Sequence, residues 1–352
     1  MGPAGDRALD LLAAALALAI LAGHAGWLHP ALDSFSHLRP QLLGVGAVLA
    51  SFALVRRRAP APILLAVGIG SAALTAPYYV AETETEFAIG TRIVVLQQNL
   101  RYDNIRLDAL ERRVAERRPD LVALQEVRGE GERLLRRLSR DYPHQHRCRG
   151  ASPVGDVAIL SRHAIVRGTA RCARGLAVAT IEAPGATFTF GSLHLHWPWP
   201  APQPRHLAAI EPLLGELSAP AILAGDFNAV PWSDAVRRIE RAMGGRAVRG
   251  IGGTRIDPDW PAVLQPLWNL PIDQLVITPD VAVGPVAVLP LVGSDHASVV
   301  VTLSPPTTGG SIVAHANRRE AATEWNASLA ASLPNGTRAE PLHAPDIRLQ
   351  PQ

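Results

Sequence analysis

The chain has 352 residues, a formal net charge of +3, and 48% hydrophobic against 18% charged residues. This composition is rather apolar for a soluble protein, and the length suits one large domain or two ordinary ones. No lysine occurs, so every basic side chain is arginine or histidine, alongside many alanines, glycines and prolines. That usage reads as coding bias, and the basic balance is no argument for nucleic acid. The two cysteines, Cys148 and Cys172, form no Cys-x-x-Cys pattern, which argues against a structural zinc or thioredoxin-like centre.

Much of the apolar excess lies in the first eighty residues. Leu11 to Leu32 carries no Asp, Glu, Lys or Arg over about 22 residues, enough to span a bilayer. Pro40 to Val55 is shorter, and Ala59 to Ala81 is long again, ending near Tyr78 and Tyr79 as interfacial anchors. A cleaved signal peptide explains only the first stretch, so three transmembrane helices are expected in residues 1–81. Arg56, Arg57 and Arg58 form the basic cluster between the second and third stretches, and the positive-inside rule puts it in the cytoplasm. The third helix then exits outward into an acidic linker, residues 82–90. The expected location is the cell membrane, multi-pass, with everything after residue 90 extracytoplasmic. In that oxidising setting Cys148 and Cys172 either pair or stay as two unrelated buried thiols; the sequence leaves both open.

From Thr91 to Leu303 short apolar strands alternate with helical patterns. Strands are expected at 92–99 and 120–127, with a helix over 104–117 between them. Runs at 155–161, 175–181 and 187–195, separated by turn residues, read as strands in antiparallel pairing. Then come a helix over 206–217, a strand at 221–226 and a helix over 232–242. Strands at 275–277, 281–289 and 297–303 close the region. The expected class is an α/β (α+β) sandwich of layers. Residues 304–352 begin with Ser-Pro-Pro-Thr-Thr-Gly-Gly and turn polar, which predicts a mostly disordered tail with a possible short helix around 314–329.

Polar residues recur at the ends of these strands. Asn99 and Glu126 end the first two, His194 lies near the end of another, and Asp226 and Asn228 follow Leu223. Asp273 lies in Pro271-Ile272-Asp273-Gln274-Leu275, just ahead of the strand expected at 275–277, and Asp295 with His296 precede the last one. Carboxylates, amides and two imidazoles without thiolates form a hard donor set that suits Mg2+ or Mn2+ rather than zinc. A carboxylate or imidazole in such a set can activate water for in-line attack on phosphorus. Each residue taken alone has a structural explanation, as a strand cap, a turn or a satisfied core histidine.

In order, Gln98-Asn99, Leu124-Gln125-Glu126, His194-Leu195-x-x-Pro198, Gly225-Asp226-Phe227-Asn228, Ile272-Asp273 and Ser294-Asp295-His296 resemble the endonuclease/exonuclease/phosphatase superfamily. That group includes deoxyribonuclease I, exonuclease III, sphingomyelinases and inositol-polyphosphate 5-phosphatases. The resemblance covers about residues 91–303, and it implies two packed β-sheets flanked by helices that cleave phosphoesters with divalent metal. Carried over, it makes Glu126 the principal metal ligand, assisted by Asn99 and Asp295. Asp226 and Asn228 position or deprotonate the attacking water and hold the phosphate. His296, oriented by Asp273, contacts the phosphate or acts as base, and His194 stabilises or protonates the leaving oxygen.

The chain departs from the family pattern in places. Leu193 stands where a threonine usually precedes the histidine. His196 competes with His194, since strand alternation would point both to one face. Ala229-Val230 after the Gly-Asp-x-Asn motif argues against the inositol phosphatases, and the contacts expected of abasic-site endonucleases are not evident around Leu267-Trp268-Asn269. Trp197-Pro198-Trp199-Pro200 either packs back on the domain or offers indoles to bases or lipid. The leading expectation is a membrane-anchored nuclease or phosphodiesterase acting on nucleic acid. A sphingomyelinase-like lipid phosphodiesterase or phosphatase is the alternative, and a non-catalytic binding module the weakest. No protein partner is inferable.

Overall fold

The structure is a computed structural model that describes residues 3–82, 91–152, 154–257, 259–261 and 263–307. Most of the expected acidic linker, the helix around 314–329 and the tail beyond residue 307 lie outside the described residues.

The chain starts with α1 (Pro3–Ala22), α2 (Pro30–His37), α3 (Arg39–Val55) and α4 (Ala61–Thr75), followed by a 3-10 turn at Ala76–Tyr79. Small side chains let α1, α3 and α4 approach closely, because Ala13, Ala17, Gly46 and Ala50 are the buried ones, around Ile20 and Leu64. The expectation of three spans needs correction. Among the described residues one helix, Ala61–Tyr79, is long and apolar enough to cross a membrane by itself. The pair Pro30–His37 and Arg39–Val55, bent by 69°, qualifies only if taken as one. The first apolar stretch fails as a unit because its helix ends at Ala22, ahead of Gly23, Gly26 and Pro30, and begins in a charged turn with Asp6, Arg7 and Asp10.

From residue 91 onward, two mixed sheets pack face to face with helices outside them. The strands are β1 (Ile93–Asn99), β2 (Leu121–Val127), β3 (His144–Ser152), β4 (Gly155–Ser161), β5 (Ala164–Ile165), β6 (Arg171–Ala173), β7 (Leu176–Ala183), β8 (Ala186–His194), β9 (Ala221–Asp226), β10 (Arg246–Ala247), β11 (Asp273–Ile277), β12 (Ala282–Leu289) and β13 (Ser298–Ser304). Among the described residues the first sheet runs β12-β13-β1-β2-β4-β3, and the second β10-β11-β9-β8-β7-β5 with β6 on β7. Each sheet has one parallel pair near its centre, β1–β2 and β8–β9. A parallel pair needs a crossover, supplied by α5 (Asp108–Arg117) and α7 (Gln203–Gly215).

Ile93, Val95, Phe188, Phe190, Ile222, Leu275 and Val299 fill the space between the sheets. The outer face of the first sheet is covered by α5 and α6 (Glu130–Leu138), and that of the second by α7 and α8 (Asp234–Met243). A four-residue helix, α9 (Gln265–Trp268), lies in the loop before β11.

Two expectations shift here. The strand at 155–161 does not join those at 175–181 and 187–195; β4 pairs with β2 and β3 in the other sheet. Cys148 on β3 and Cys172 on β6 form a disulfide, with Cα atoms 5.5 Å apart, which staples the two sheets together.

The N-terminal helices rest on the sandwich around Trp232. Its indole N–H donates to the Ser36 carbonyl (2.8 Å), and the Tyr78 and Tyr79 rings lie 5.9 and 5.5 Å away. The Arg39 guanidinium covers the same ring at 5.9 Å.

Candidate active site

The C-terminal ends of both parallel pairs meet at one edge of the sandwich. β1 ends at Asn99, β8 ends at His194 and β9 ends at Asp226. Pairing places His194 opposite Asp226, and Asp226 opposite Asp273. The approach of β8 to β9 requires Gly225, because a Cβ there would sit 1.9 Å from the Leu193 carbonyl oxygen. Glu126 sits where the β2–β4 register shifts between Leu124 and Val127, with φ of +56°. Such a bulge re-aims a side chain, and Gly155 makes room for it, since a Cβ at 155 would lie 2.7 Å from the Glu126 carbonyl carbon.

A chain of polar contacts runs across this edge. Gln97 Nε2 donates to Asp273 Oδ1 at 2.7 Å, and Asp273 Oδ2 lies 2.8 Å from His296 Nδ1. His296 Nε2 faces Asp226 Oδ2 at 3.7 Å. The Asn99 amide donates to Asp226 Oδ2 (2.9 Å) and to Glu126 Oε1 (3.1 Å), while its oxygen accepts from the Arg101 N–H. His194 Nε2 lies 3.7 Å from Glu126 and 3.6 Å from Asp226. Asp226 Oδ1 accepts the Asn228 backbone N–H at 2.8 Å, and the Asn228 side chain donates to the Leu195 carbonyl. Ser294 steadies His296 by accepting its backbone N–H.

Burial sets the protonation of these groups. It pushes the His194 imidazole down to about 4, against the pull of Glu126, so this ring is neutral at neutral pH. It raises the Asp226 carboxyl to about 6, opposed by His296. Burial would also lower His296, but the carboxylates of Asp273 and Asp226 outweigh it and lift the ring to about 10. At neutral pH His296 is therefore a cation held between two buried acids.

This network opens into a cleft of about 310 Å³ whose lining includes Glu126, Asp226, Asn228, Asp295 and His296. Asp103, Asp257 and Asp259 add further carboxylates, while Arg101 and Arg255 pair with Asp103 and Asp295. An oxygen-rich wall of this kind fits a hard divalent cation. Among the described residues, donor atoms of Asp226, Asp273 and His296 also lie within 4.8 Å of one another. These three are already engaged with each other. His146, Cys148 and Cys172 form a second such group, but the disulfide leaves it no thiolate.

Asn99, Glu126, His194, Asp226, Asn228, Asp273 and His296 are thus brought into one network. Asp295 joins from the cleft wall through Arg255 at 3.1 Å. His196 does not join: β8 ends at His194, so strand alternation never reaches it, and its ring faces His206 at 4.8 Å. Sequence reasoning missed Gln97, Arg255 and Tyr102, whose backbone N–H donates to Glu126 Oε2 at 2.9 Å. Gln97 was detectable as the polar residue that ends the apolar run Ile93-Val94-Val95-Leu96 inside the expected strand. Arg255 gave no signal, because it reaches the site through isolated bridges to Leu270 and His296.

The profile of the Endonuclease/Exonuclease/phosphatase family matches residues 96–296, and the chain belongs to this family. Its members are generally metal-dependent phosphoester hydrolases. Among solved structures, an endonuclease/exonuclease/phosphatase from Beutenbergia cavernae is 19% identical with a TM-score of 0.50, over 61% of this chain and 72% of that one. A family protein from Leptotrichia buccalis is 20% identical with a TM-score of 0.48, over 60% and 99%. A beta toxin variant from Staphylococcus aureus with bound magnesium ions is 12% identical with a TM-score of 0.44, over 61% and 100%. No curated protein sequence matches the chain.

Proposed function

We propose that the protein is a membrane-associated, metal-dependent phosphodiesterase whose catalytic domain faces away from the cytoplasm. The observation that carries the catalytic reading is the continuous buried path Asp273–His296–Asp226–Asn99–Glu126, opening into a carboxylate-lined cleft. Glu126 and Asp295, with Asn99, would hold Mg2+ or Mn2+. When bound, such an ion supplies positive charge against the phosphoryl oxygens and acidifies water.

The chain's own groups supply the rest. Asp226, with its carboxyl near 6, is matched to accepting a proton from attacking water at neutral pH. Asn228 fixes one Asp226 oxygen through its backbone and flanks the phosphate position. His296 stays protonated and offers Nε2–H to a phosphoryl oxygen while Asp273 holds Nδ1. His194, neutral beside Glu126 and Asp226, offers an N–H to the leaving oxygen.

Family resemblance puts nucleic acid first as substrate. A specific observation favours a lipid phosphodiester as second reading: Trp197 lines the cleft 47% exposed, and Trp199 beside it is 50% exposed. Both cleft arginines are paired to aspartates, which offers a long polyanion little attraction. The apolar exterior of the N-terminal helices and the Arg56 cluster support the membrane location, and the disulfide suits an oxidising compartment.

The test is the full-length protein in detergent, offered DNA, RNA, phosphatidylinositol and sphingomyelin with and without Mg2+ or Mn2+. Metal-dependent turnover of a phosphodiester is expected. Equal turnover in excess chelator rejects the metal reading, and turnover confined to lipids rejects nucleic acid.

A further inference from the structure

Helix α2 lies outside the sandwich, yet it grips the segment that follows β9. His37 Nε2 lies 3.3 Å from the Asn228 carbonyl oxygen, and its Nδ1 lies 3.4 Å from the Asp33 carbonyl oxygen, so the ring bridges α2 to that segment. The Ser36 carbonyl accepts the Trp232 indole N–H, and the Asp33 carboxylate accepts the backbone N–H groups of Asp234 (2.7 Å) and Ala235 (3.2 Å). Asp33, Ser36 and His37 are all buried.

The start of a helix leaves its first backbone N–H groups without partners. Helix α8 has a cap of its own, Ser233 Oγ, which takes the Val236 N–H. Asp33 satisfies two more, so the N-terminus of α8 is completed by a residue about two hundred positions away. Asn228 is the other end of the gripped segment. It holds a left-handed φ of +46°, a conformation that costs a non-glycine residue strain unless its surroundings enforce it. Its carbonyl is held from two sides, by His37 and by Gln203 of α7 at 3.1 Å. Its N–H in turn fixes Asp226 Oδ1.

We infer that α2 is a positioning element of the active site: Asp33 and His37 clamp residues 228–235, and through the Asn228 backbone they set the Asp226 carboxylate. The inference rests on the hydrolase reading for what Asp226 does. His37 touches no reacting atom. It acts through Asn228, so the N-terminal helices take part in catalysis as well as in attachment.

The experiment uses full-length protein in detergent with Mn2+ and bis(p-nitrophenyl) phosphate, with Asp226→Ala as the inactive reference. Loss of one positioning hydrogen bond in His37→Ala lowers kcat about tenfold while KM stays within about twofold. His37→Gln, whose amide keeps a donor near the position of Nε2, returns kcat to within about threefold of the wild type. Backbone hydrogen exchange over residues 227–236 speeds up in His37→Ala and Asp33→Ala. Asp33→Asn replaces Asp33→Ala if the latter fails to fold. Wild-type kcat in His37→Ala with Asp226→Ala dead overturns the inference and leaves the hydrolase reading standing. A lowered kcat with unchanged exchange, or one that His37→Gln does not restore, also overturns it. A wild type that turns over no phosphodiester rejects the hydrolase reading and the catalytic role of α2 with it, while unchanged exchange rejects the clamp itself.

Discussion

In the sandwich Phe188, Phe190, Ile222 and Val299 point inward, whereas in the N-terminal helices the inside is mostly small, with Ala13, Ala17 and Ala50 around Ile20 and Leu64, and many larger side chains point out. Leu11, Leu18, Val48 and Ile69 are 72%, 67%, 74% and 62% exposed. Among the described residues, the large apolar side chains that the sandwich exposes lie in loops, including Trp197, Trp199, Trp260 and Trp268, and none lies on a strand. One chain thus sorts its side chains by two opposite rules. Water explains the first; the second is the arrangement that the membrane location proposed above requires, since small residues inside let helices pack closely and lipid tails would accept the leucines.

The largest effect expected on the sandwich side is His296→Ala, which removes the buried cation between two acids. We expect kcat/KM to fall about a thousandfold in steady-state assays, with the N-terminal helices unaffected. Cys172→Ser releases the staple between the sheets, whose cysteines are 24 residues apart. Urea titration should show about 3 kcal/mol of lost stability, and a loss confined to the helices would contradict the assignment.

Ile69→Arg, on the one helix long and apolar enough to cross a membrane among the described residues, tests the inverted rule. Placed on the outward face, it should weaken liposome partition by about 3 kcal/mol and leave sandwich unfolding unchanged. Unaltered partition would erase the contrast. The smallest effect is pH-dependent. In chelator, His296 near 10 exceeds its unfolded value of 6.5, so its stabilisation is complete below 6.5 and is lost as pH rises through about 10. Asp226, raised from 3.8 to about 6, loses its contribution over that lower interval. Unfolding midpoints measured across both ranges should therefore decline with rising pH.

The strands that carry the site were legible because their apolar runs stop abruptly at polar residues: β1 at Gln97, two positions before Asn99, and β9 at Gly225-Asp226. β3 and α6 were not foreseen. Residues 144–149 alternate histidine, arginine and glutamine with a single cysteine, and only the staple and pairing with β4 make that a strand. Helix α6 turns Leu134, Leu135 and Leu138 inward from a face of arginines and glutamates, an amphipathic stripe that the sequence did carry and that the reading of 128–143 passed over. In the site, the acids, amides and histidines could be named but their joining could not. That Asn99 bridges Glu126 and Asp226 depends on two sheets packing face to face so that their strand ends share one rim. The role of α2 was invisible because its contacts span roughly two hundred residues.

Trp232 shows what the sandwich loses if it is cut from the N-terminal helices. Its indole is 1% exposed, roofed by Tyr78 and Tyr79 and tied to Ser36. A soluble fragment begun after the acidic linker would keep the whole family-matched segment and still carry an open socket, with a bare indole and two uncapped amides at its rim. The helices are therefore part of the sandwich's own core, and residues 1–307 are the smallest piece expected to behave as the whole does.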